Sequence, residues 1–233
     1  MITKQIAFHI SRYKADLIDP PRFYTYPLAV SESMSVLDAL EKIRLTREPT
    51  LMYRHSCHHS SCGTCACLIN GSEHLACTTN VWTLDSGTVT VAPLNGFPRI
   101  GDLVVNMNPF FEDIDEDWTY LRPSQNRERA PGPGTGDRIF SRFEDCIECG
   151  SCVSACPVSR RNPEFMGSAA LAALHREIEK LPSKRNILLE RAKSERGADL
   201  CDRAYECSRV CPTAVYPARH IAELRALEST TIG

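Results

Sequence analysis

Four cysteines in a fixed cadence constrain this chain more than any other feature: Cys146-Ile-Glu-Cys149-Gly-Ser-Cys152-Val-Ser-Ala-Cys156-Pro157. Two-residue spacers let three thiolates converge on one face of a small inorganic cluster, while the fourth cysteine opens the next helical segment and serves a second one. Pro157 sets the backbone where that segment begins. Zinc ribbons use paired cysteines and not this four-cysteine run. Iron–sulfur ligation is therefore the reading and structural zinc the alternative. Such a chain is expected to carry electrons, and its other segments are to be read as inputs to and outputs from the clusters.

A second run lies near the C-terminus: Cys201-Asp-Arg-Ala204-Tyr-Glu-Cys207-Ser-Arg-Val-Cys211-Pro212. It repeats the first with alanine at the second cysteine position. In two-cluster ferredoxins the last cysteine of each run ligates the other cluster. Cys146, Cys149 and Cys152 then pair with Cys211, which predicts [4Fe–4S]. Cys201 and Cys207 pair with Cys156. Three thiolates leave one cubane corner unheld, which predicts [3Fe–4S]. Between the runs, Ser168–Lys180 is rich in strong helix formers and Lys184–Lys193 reads as a basic helical stretch.

The N-terminal half reads differently. Residues 3–12 alternate Ile6, Phe8 and Ile10 on one face, as a strand does. Pro20-Pro21 is expected to break the chain, with a second strand near Phe23–Ala29 and a long loop joining the pair. A helix follows from about Ser35 to Leu45. Ser35-x-x-Asp38 resembles a capping box, and Val36, Leu37, Leu40 and Ile43 form a stripe that belongs to the core. Asn70-Gly71 marks a hairpin, and Thr88–Val91 is a further short strand. Strands and one helix in this order, with cysteines on the loop after the helix, predict a β-grasp ferredoxin domain. Cys57-x4-Cys62-x2-Cys65-x11-Cys77 belongs to the plant-type [2Fe–2S] spacing, with zinc again the alternative. Gly63 is expected to let the backbone approach the sulfides. Cys67 falls outside the spacing and reads as a small buried residue. His55, His58 and His59 read as surface residues of the loop, since a Rieske site needs two histidines with only two cysteines.

Residues 93–118 read as irregular. Phe111–Trp118 is acidic with apolar teeth, either a short helix for a partner or a solvated face. Pro131-Gly-Pro-Gly-Thr-Gly136 reads as an extended linker. The predicted organisation is α+β: a [2Fe–2S] β-grasp domain over 1–118, a linker over 119–137, and an all-α bacterial-type ferredoxin-like domain over 138–233.

Of the 233 residues 12 are cysteine, too many for core filler, and a secreted disulfide scaffold is the bland alternative. The N-terminal stretch lacks the apolar region of a secretory signal, so a reducing cytoplasmic compartment is expected. A net charge of −2 gives no field for nucleic acid. No run reaches the length of a membrane span, so a partner would supply any membrane.

A [2Fe–2S] β-grasp domain followed by the two cysteine runs resembles the iron–sulfur subunit of succinate dehydrogenase and fumarate reductase. The segments Tyr53-Arg54-His-Ser-Cys57, Cys62-Gly-Thr-Cys65, Leu103-Val-Val-Asn-Met107 and Asn162-Pro-Glu-Phe165 carry the resemblance further. It implies that a partner flavoprotein with FAD performs the substrate chemistry. Electrons then pass through [2Fe–2S], [4Fe–4S] and [3Fe–4S] to or from a quinone at a membrane anchor subunit. It also implies peripheral attachment to the cytoplasmic side of the plasma membrane.

The chain departs from the family at the acceptor end. Arg160-Arg161 stands where the family has an aromatic pair whose tryptophan helps bind quinone. Asp202 replaces a histidine, Thr213 a lysine, and Arg225 a lysine near the quinone. The resemblance thus puts Pro157, Arg161 and Arg225 on the acceptor side, with menaquinone or a non-quinone acceptor open. Two alternatives stand: an adaptor of the same build serving a flavoprotein for a succinate analogue, and a zinc-binding interaction module.

Overall fold

The alternation of Ile6, Phe8 and Ile10 becomes the spine of a sheet. All three side chains are buried on β1 (Thr3–Lys14). β1 pairs antiparallel with β2 (Ile18–Ser31), Ile6 opposite Leu28 and Phe8 opposite Tyr26. A computed structural model describes residues 2–84, 86–115, 118 and 145–228; the expected linker over 119–137 lies outside them. Helix α1 (Val36–Thr46) begins where the sequence places it. The Ser35 hydroxyl accepts from the Asp38 N–H and the Asp38 carboxylate accepts from the Ser35 N–H. Val36, Leu37, Leu40 and Ile43 are buried.

Asn70 and Gly71 take φ of 50° and 84°, the left-handed pair that a two-residue hairpin needs, and join β3 (Ala66–Ile69) to β4 (Ser72–Leu75). β5 (Thr88–Ala92) completes the sheet in the order β2-β1-β5-β3-β4, parallel to β1 and antiparallel to β3.

Two expectations need correction. Pro20-Pro21 does not break the chain: both prolines lie inside β2, which a tight turn at residues 15–17 joins to β1. β2 is an edge strand, so an imide nitrogen facing away from β1 forfeits no ladder bond. Residues 93–118 are not wholly irregular. β6 (Arg99–Gly101) and β7 (Val104–Val105) form a small ladder, and α2 (Asn108–Phe111) follows.

The acidic segment after α2 is partly packed into the fold, with Glu112 and Asp115 still exposed. Ile114 and Trp118 are buried, Asp113 receives both terminal nitrogens of Arg196 at 2.9 and 3.1 Å, and Asp115 pairs with Arg191 at 2.9 Å. The Arg191 guanidinium also lies over the Trp118 ring, 5.1 Å from its centroid. The arginines that meet the segment's aspartates come from more than 70 residues downstream, beyond the reach of a local pattern.

The second half is helical: α3 (Ser151–Ala155), α4 (Pro157–Arg161), α5 (Gly167–Lys180), α6 (Arg185–Ala192), α7 (Glu206–Arg209) and α8 (Pro217–Ala226). Every residue from Gly167 to Ile178 is buried. A helix buried on every side is a core helix, and the alanines of α5 let its neighbours approach closely. Buried residues of the sheet half and the helical half form one continuous cluster. The architecture is α+β.

One buried ion pair steers the chain toward the first cysteine loop. Asp102, between β6 and β7, is fully buried. It lies 2.9 Å from Nε of the equally buried Arg12 and accepts the N–H groups of Tyr13 and Met52 at 2.9 and 2.7 Å. Arg12 also reaches Glu48, Tyr26 and Thr50. End of β1, segment 48–52 and the β6–β7 ladder thus meet at one carboxylate. Removing one partner of a buried pair typically costs about 3–5 kcal/mol. Asp102→Ala is expected to lower the unfolding free energy of the holoprotein by about that much. Denaturant titration measures it, with a smaller loss for Asp102→Asn, whose carboxamide still accepts a hydrogen bond.

Candidate metal centres

All 12 cysteines are unpaired thiols, so the structure holds no disulfide scaffold. Eleven of them fall into three groups in space.

The first group sits on the loop between α1 and β3, with one member after β4. Three residues of this loop, His58, Ser60 and Gly63, have φ of 63°, 62° and 68°, so the chain coils tightly around a centre. The Cys57 thiol is met by the His59 N–H at 3.4 Å, and that bond, with contributions from Cys62 and Ser61, draws it down to about 5. Burial pushes Cys65 up to about 12, with Cys77 and Cys62 close enough to act on it. The loop thus brings Cys57, Cys62, Cys65 and Cys77 together. Cys67 points into the core and is pushed up to about 12 by burial. His55, His58 and His59 are exposed, as expected.

The second group lines one apolar cavity. Cys146, Cys149, Cys152 and Cys211 share it with Phe110, Val215 and residues of α5. Burial pushes Cys146 up to about 12, with Cys149 and Cys211 adding to it, and holds Cys152 well above the thiol range. Cys211 comes from the second run, 55 residues after Cys156 in the chain, yet stands among the first three cysteines of the first run. The Val215 N–H donates to its sulfur at 3.3 Å.

The third group is Cys156, Cys201 and Cys207. Burial pushes Cys207 up to about 12, and Cys156 and Cys201 are its nearest thiol influences. The two runs share a backbone course. Glu148 and Gly150 in the first have φ of 53° and 82°; Arg203 and Tyr205, at the same offsets in the second, have 59° and 62°. A short helix, α3 or α7, follows in each. Ala204 therefore occupies the place of Cys149, and the third group has three sulfurs where the second has four.

A thiol in an apolar interior does not ionise unaided. A ligand set of this kind needs cations, and iron supplies them while taking thiolate as its preferred donor. By chemistry and by grouping, the residues fit three clusters.

The three residues expected on the acceptor side lie near the third group. Pro157 is the first residue of α4, directly after Cys156. Arg161 ends that helix with its side chain largely exposed, and donates to Asp202 at 2.8 Å. Arg225 on α8 donates to the Cys201 carbonyl at 2.9 Å, so it props the second cysteine turn. The Arg161–Asp202 contact was not legible locally, although both residues stand where the resemblance had marked departures. Sequence reasoning also missed the buried His175–His220 pair, Nδ1 to Nδ1 at 2.9 Å, which ties α5 to α8.

Comparison with known proteins agrees with this geometry. Residues 7–112 match a 2Fe-2S iron-sulfur cluster binding domain, and residues 142–215 match a 4Fe-4S dicluster domain. The fumarate reductase iron-sulfur subunit of Mycobacterium tuberculosis is 32% identical, across 97% of this chain and 94% of that one. The succinate dehydrogenase iron-sulfur subunit of Coxiella burnetii is also 32% identical, across 98% and 100%. A chain of the Mycobacterium smegmatis Sdh1 complex in the apo form superposes with a TM-score of 0.74 at 26% identity, covering 97% of this chain and 95% of that one. With the fold, the thiol groups and these relatives in agreement, the chain belongs to the family of electron-transferring iron–sulfur subunits of fumarate reductases and succinate dehydrogenases.

Proposed function

We propose that this chain is the electron wire of a succinate dehydrogenase or fumarate reductase, with a ligand set for each of three clusters. Cys57, Cys62, Cys65 and Cys77 hold [2Fe–2S]; Cys146, Cys149, Cys152 and Cys211 hold [4Fe–4S]; Cys156, Cys201 and Cys207 hold [3Fe–4S]. The observation that carries the reading is the exchange of Cys211 and Cys156 between the two runs in space. When bound, the clusters supply one-electron redox chemistry at successive points between a flavoprotein with FAD and a quinone in a membrane anchor. The chain's own work is to fix the positions of those points, exclude water and tune potential through N–H···S contacts such as His59 to Cys57 and Val215 to Cys211. A boundary over 119–137 between a domain at 1–118 and one at 138–233 belongs to this reading. So does peripheral attachment on the cytoplasmic side of the membrane; no helix among the described residues is long and apolar enough to cross one.

Two measurements test the ligand sets. Iron analysis of the loaded protein is expected to approach about nine per chain, from the cluster types assigned. Electron paramagnetic resonance is expected to show [3Fe–4S] when oxidised and [2Fe–2S] when reduced; a zinc-filled chain without these signals would sink the reading. Ala204→Cys restores the sulfur that the repeated backbone lacks. It is expected to exchange the oxidised-state [3Fe–4S] signal for a [4Fe–4S] cluster of lower potential, since ligand set and charge govern potential. An unchanged signal would refute the third ligand set.

The Arg161–Asp202 pair favours an acceptor site that differs from the usual one. It straddles the third thiol group: Asp202 follows Cys201 directly, and Arg161 ends the helix that Cys156 opens. An exposed pair of this kind contributes about 0–1 kcal/mol. Arg161 can therefore leave Asp202 at little cost to donate to a quinone carbonyl or stabilise a reduced, anionic form, or to meet another acceptor. The alternative reading keeps the same wire and assigns the partner flavoprotein a succinate analogue. Arg161→Ala is expected to preserve iron content and dye-linked activity while quinone-linked turnover collapses in an intact complex. Loss of assembly with normal turnover in the surviving complex would instead assign Arg160 and Arg161 to lipid or anchor contact.

A further inference from the structure

The first two cysteine loops touch at Gly63. A Cβ placed on Gly63 would lie 2.5 Å from the Ile147 carbonyl oxygen, 2.8 Å from Cβ of Cys149 and 3.0 Å from its Cα. Two of these three atoms are backbone, so the neighbour has no flexible tip to withdraw. Gly63 also has φ of +68°, but the left-handed turn alone does not demand glycine here. His58 and Ser60 adopt nearly the same φ in the same loop with their side chains in place. What distinguishes position 63 is the contact with the other half of the chain.

The seam around this contact is built to stay closed. Gly150, one residue past Cys149, packs against side chains of the sheet half: a Cβ there would lie 2.8 Å from the Met107 Cε and 3.3 Å from Leu94 and Phe97. Behind these side chains, the fully buried Ser154 hydroxyl donates to the buried Glu73 carboxylate at 2.7 Å and accepts the Asn95 N–H at 2.8 Å. A buried hydrogen bond to a charged group resists separation more than a neutral one does. Apolar packing and this polar pin therefore press the loop carrying Cys62 and Cys65 onto the loop carrying Cys146 and Cys149.

We infer that Gly63 is the positioning residue for electron passage between the two halves of the chain: its missing side chain sets the separation of the first and second cysteine cradles. The inference rests on the wire reading above and adds where the wire crosses the seam. The exchange it serves moves one electron, oxidising the donor centre and reducing the acceptor centre, with no bond made or broken and no proton moved. Gly63 acts through distance and not through contact with a reacting atom.

The test uses the assembled, iron-loaded complex. In the unaltered protein, reducing the [4Fe–4S] centre should speed the spin relaxation of the reduced [2Fe–2S] centre, because paired spins at short range couple. Gly63→Ala is expected to keep both resonance signals and both potentials while that relaxation enhancement falls several-fold. The rate of electron exchange between the two centres after rapid photoreduction should fall with it. Ser154→Ala, on α3 between Cys152 and Cys156, removes the polar pin without adding any atom at the Gly63 contact. It is expected to lower the coupling in the same direction with full iron content, and it decides the matter if Gly63→Ala fails to retain its [2Fe–2S] cluster. Unchanged coupling and rate in a fully loaded Gly63→Ala, or in Ser154→Ala where the first variant loses its cluster, would overturn the inference. Absence of iron–sulfur signals in the unaltered protein would instead overturn the wire reading itself.

Discussion

A thiol sealed in an apolar interior stays protonated unless a cation meets it. That constraint organises this molecule. Burial drives Cys65, Cys146 and Cys207 up to about 12, and Cys152 in the same direction. Without metal, these would be poorly placed thiols in a core that gains nothing from them. With iron, they are the points from which the loops hang. The left-handed residues of each loop, His58 and Ser60, Glu148 and Gly150, Arg203 and Tyr205, follow from the same need. A short chain closes around a small centre only by turning sharply and often.

The two halves meet this constraint by different means. In the sheet half, a loop between α1 and β3 supplies three thiols, and the buried Arg12–Asp102 network fixes the segment leading into it. In the helical half, the alanine-rich α5 runs through the core and contributes to the cavity that Cys146, Cys149, Cys152 and Cys211 line. The helices are too short to be stable alone. They are held by packing on α5 and, on the wire reading, by the metal.

Between the halves the contact is specific. Gly63 against Ile147 and Cys149, Gly150 against Met107, and Ser154 between Glu73 and Asn95 form one seam. The arginines of the helical half close it from the other side by taking Asp113 and Asp115. An electron-transfer protein gains little from strong centres at loose separation. This seam spends glycine, a buried carboxylate and two ion pairs on holding the separation constant.

Much of this was legible in the residues themselves. The Ser35–Asp38 cap, the Asn70-Gly71 hairpin, the core stripe of α1 and the register of Ala204 with Cys149 are local or repeated patterns, and local geometry obeys them. Pro20-Pro21 misled because whether proline is tolerated depends on whether its strand is an edge, and strand order is not local. The acidic run after α2 was only partly legible, because Asp113 and Asp115 find arginines far along the chain. Gly63 reads locally as a residue that lets the backbone approach the sulfides, yet the atoms that exclude a side chain belong to the other half of the molecule. Arg161 and Asp202 were each visible as departures, but not as a pair. Cysteine spacing determined the chemistry, because ligand geometry acts over a few residues; only the tertiary structure decided how the centres are spaced, because that depends on atoms brought together from opposite ends of the sequence.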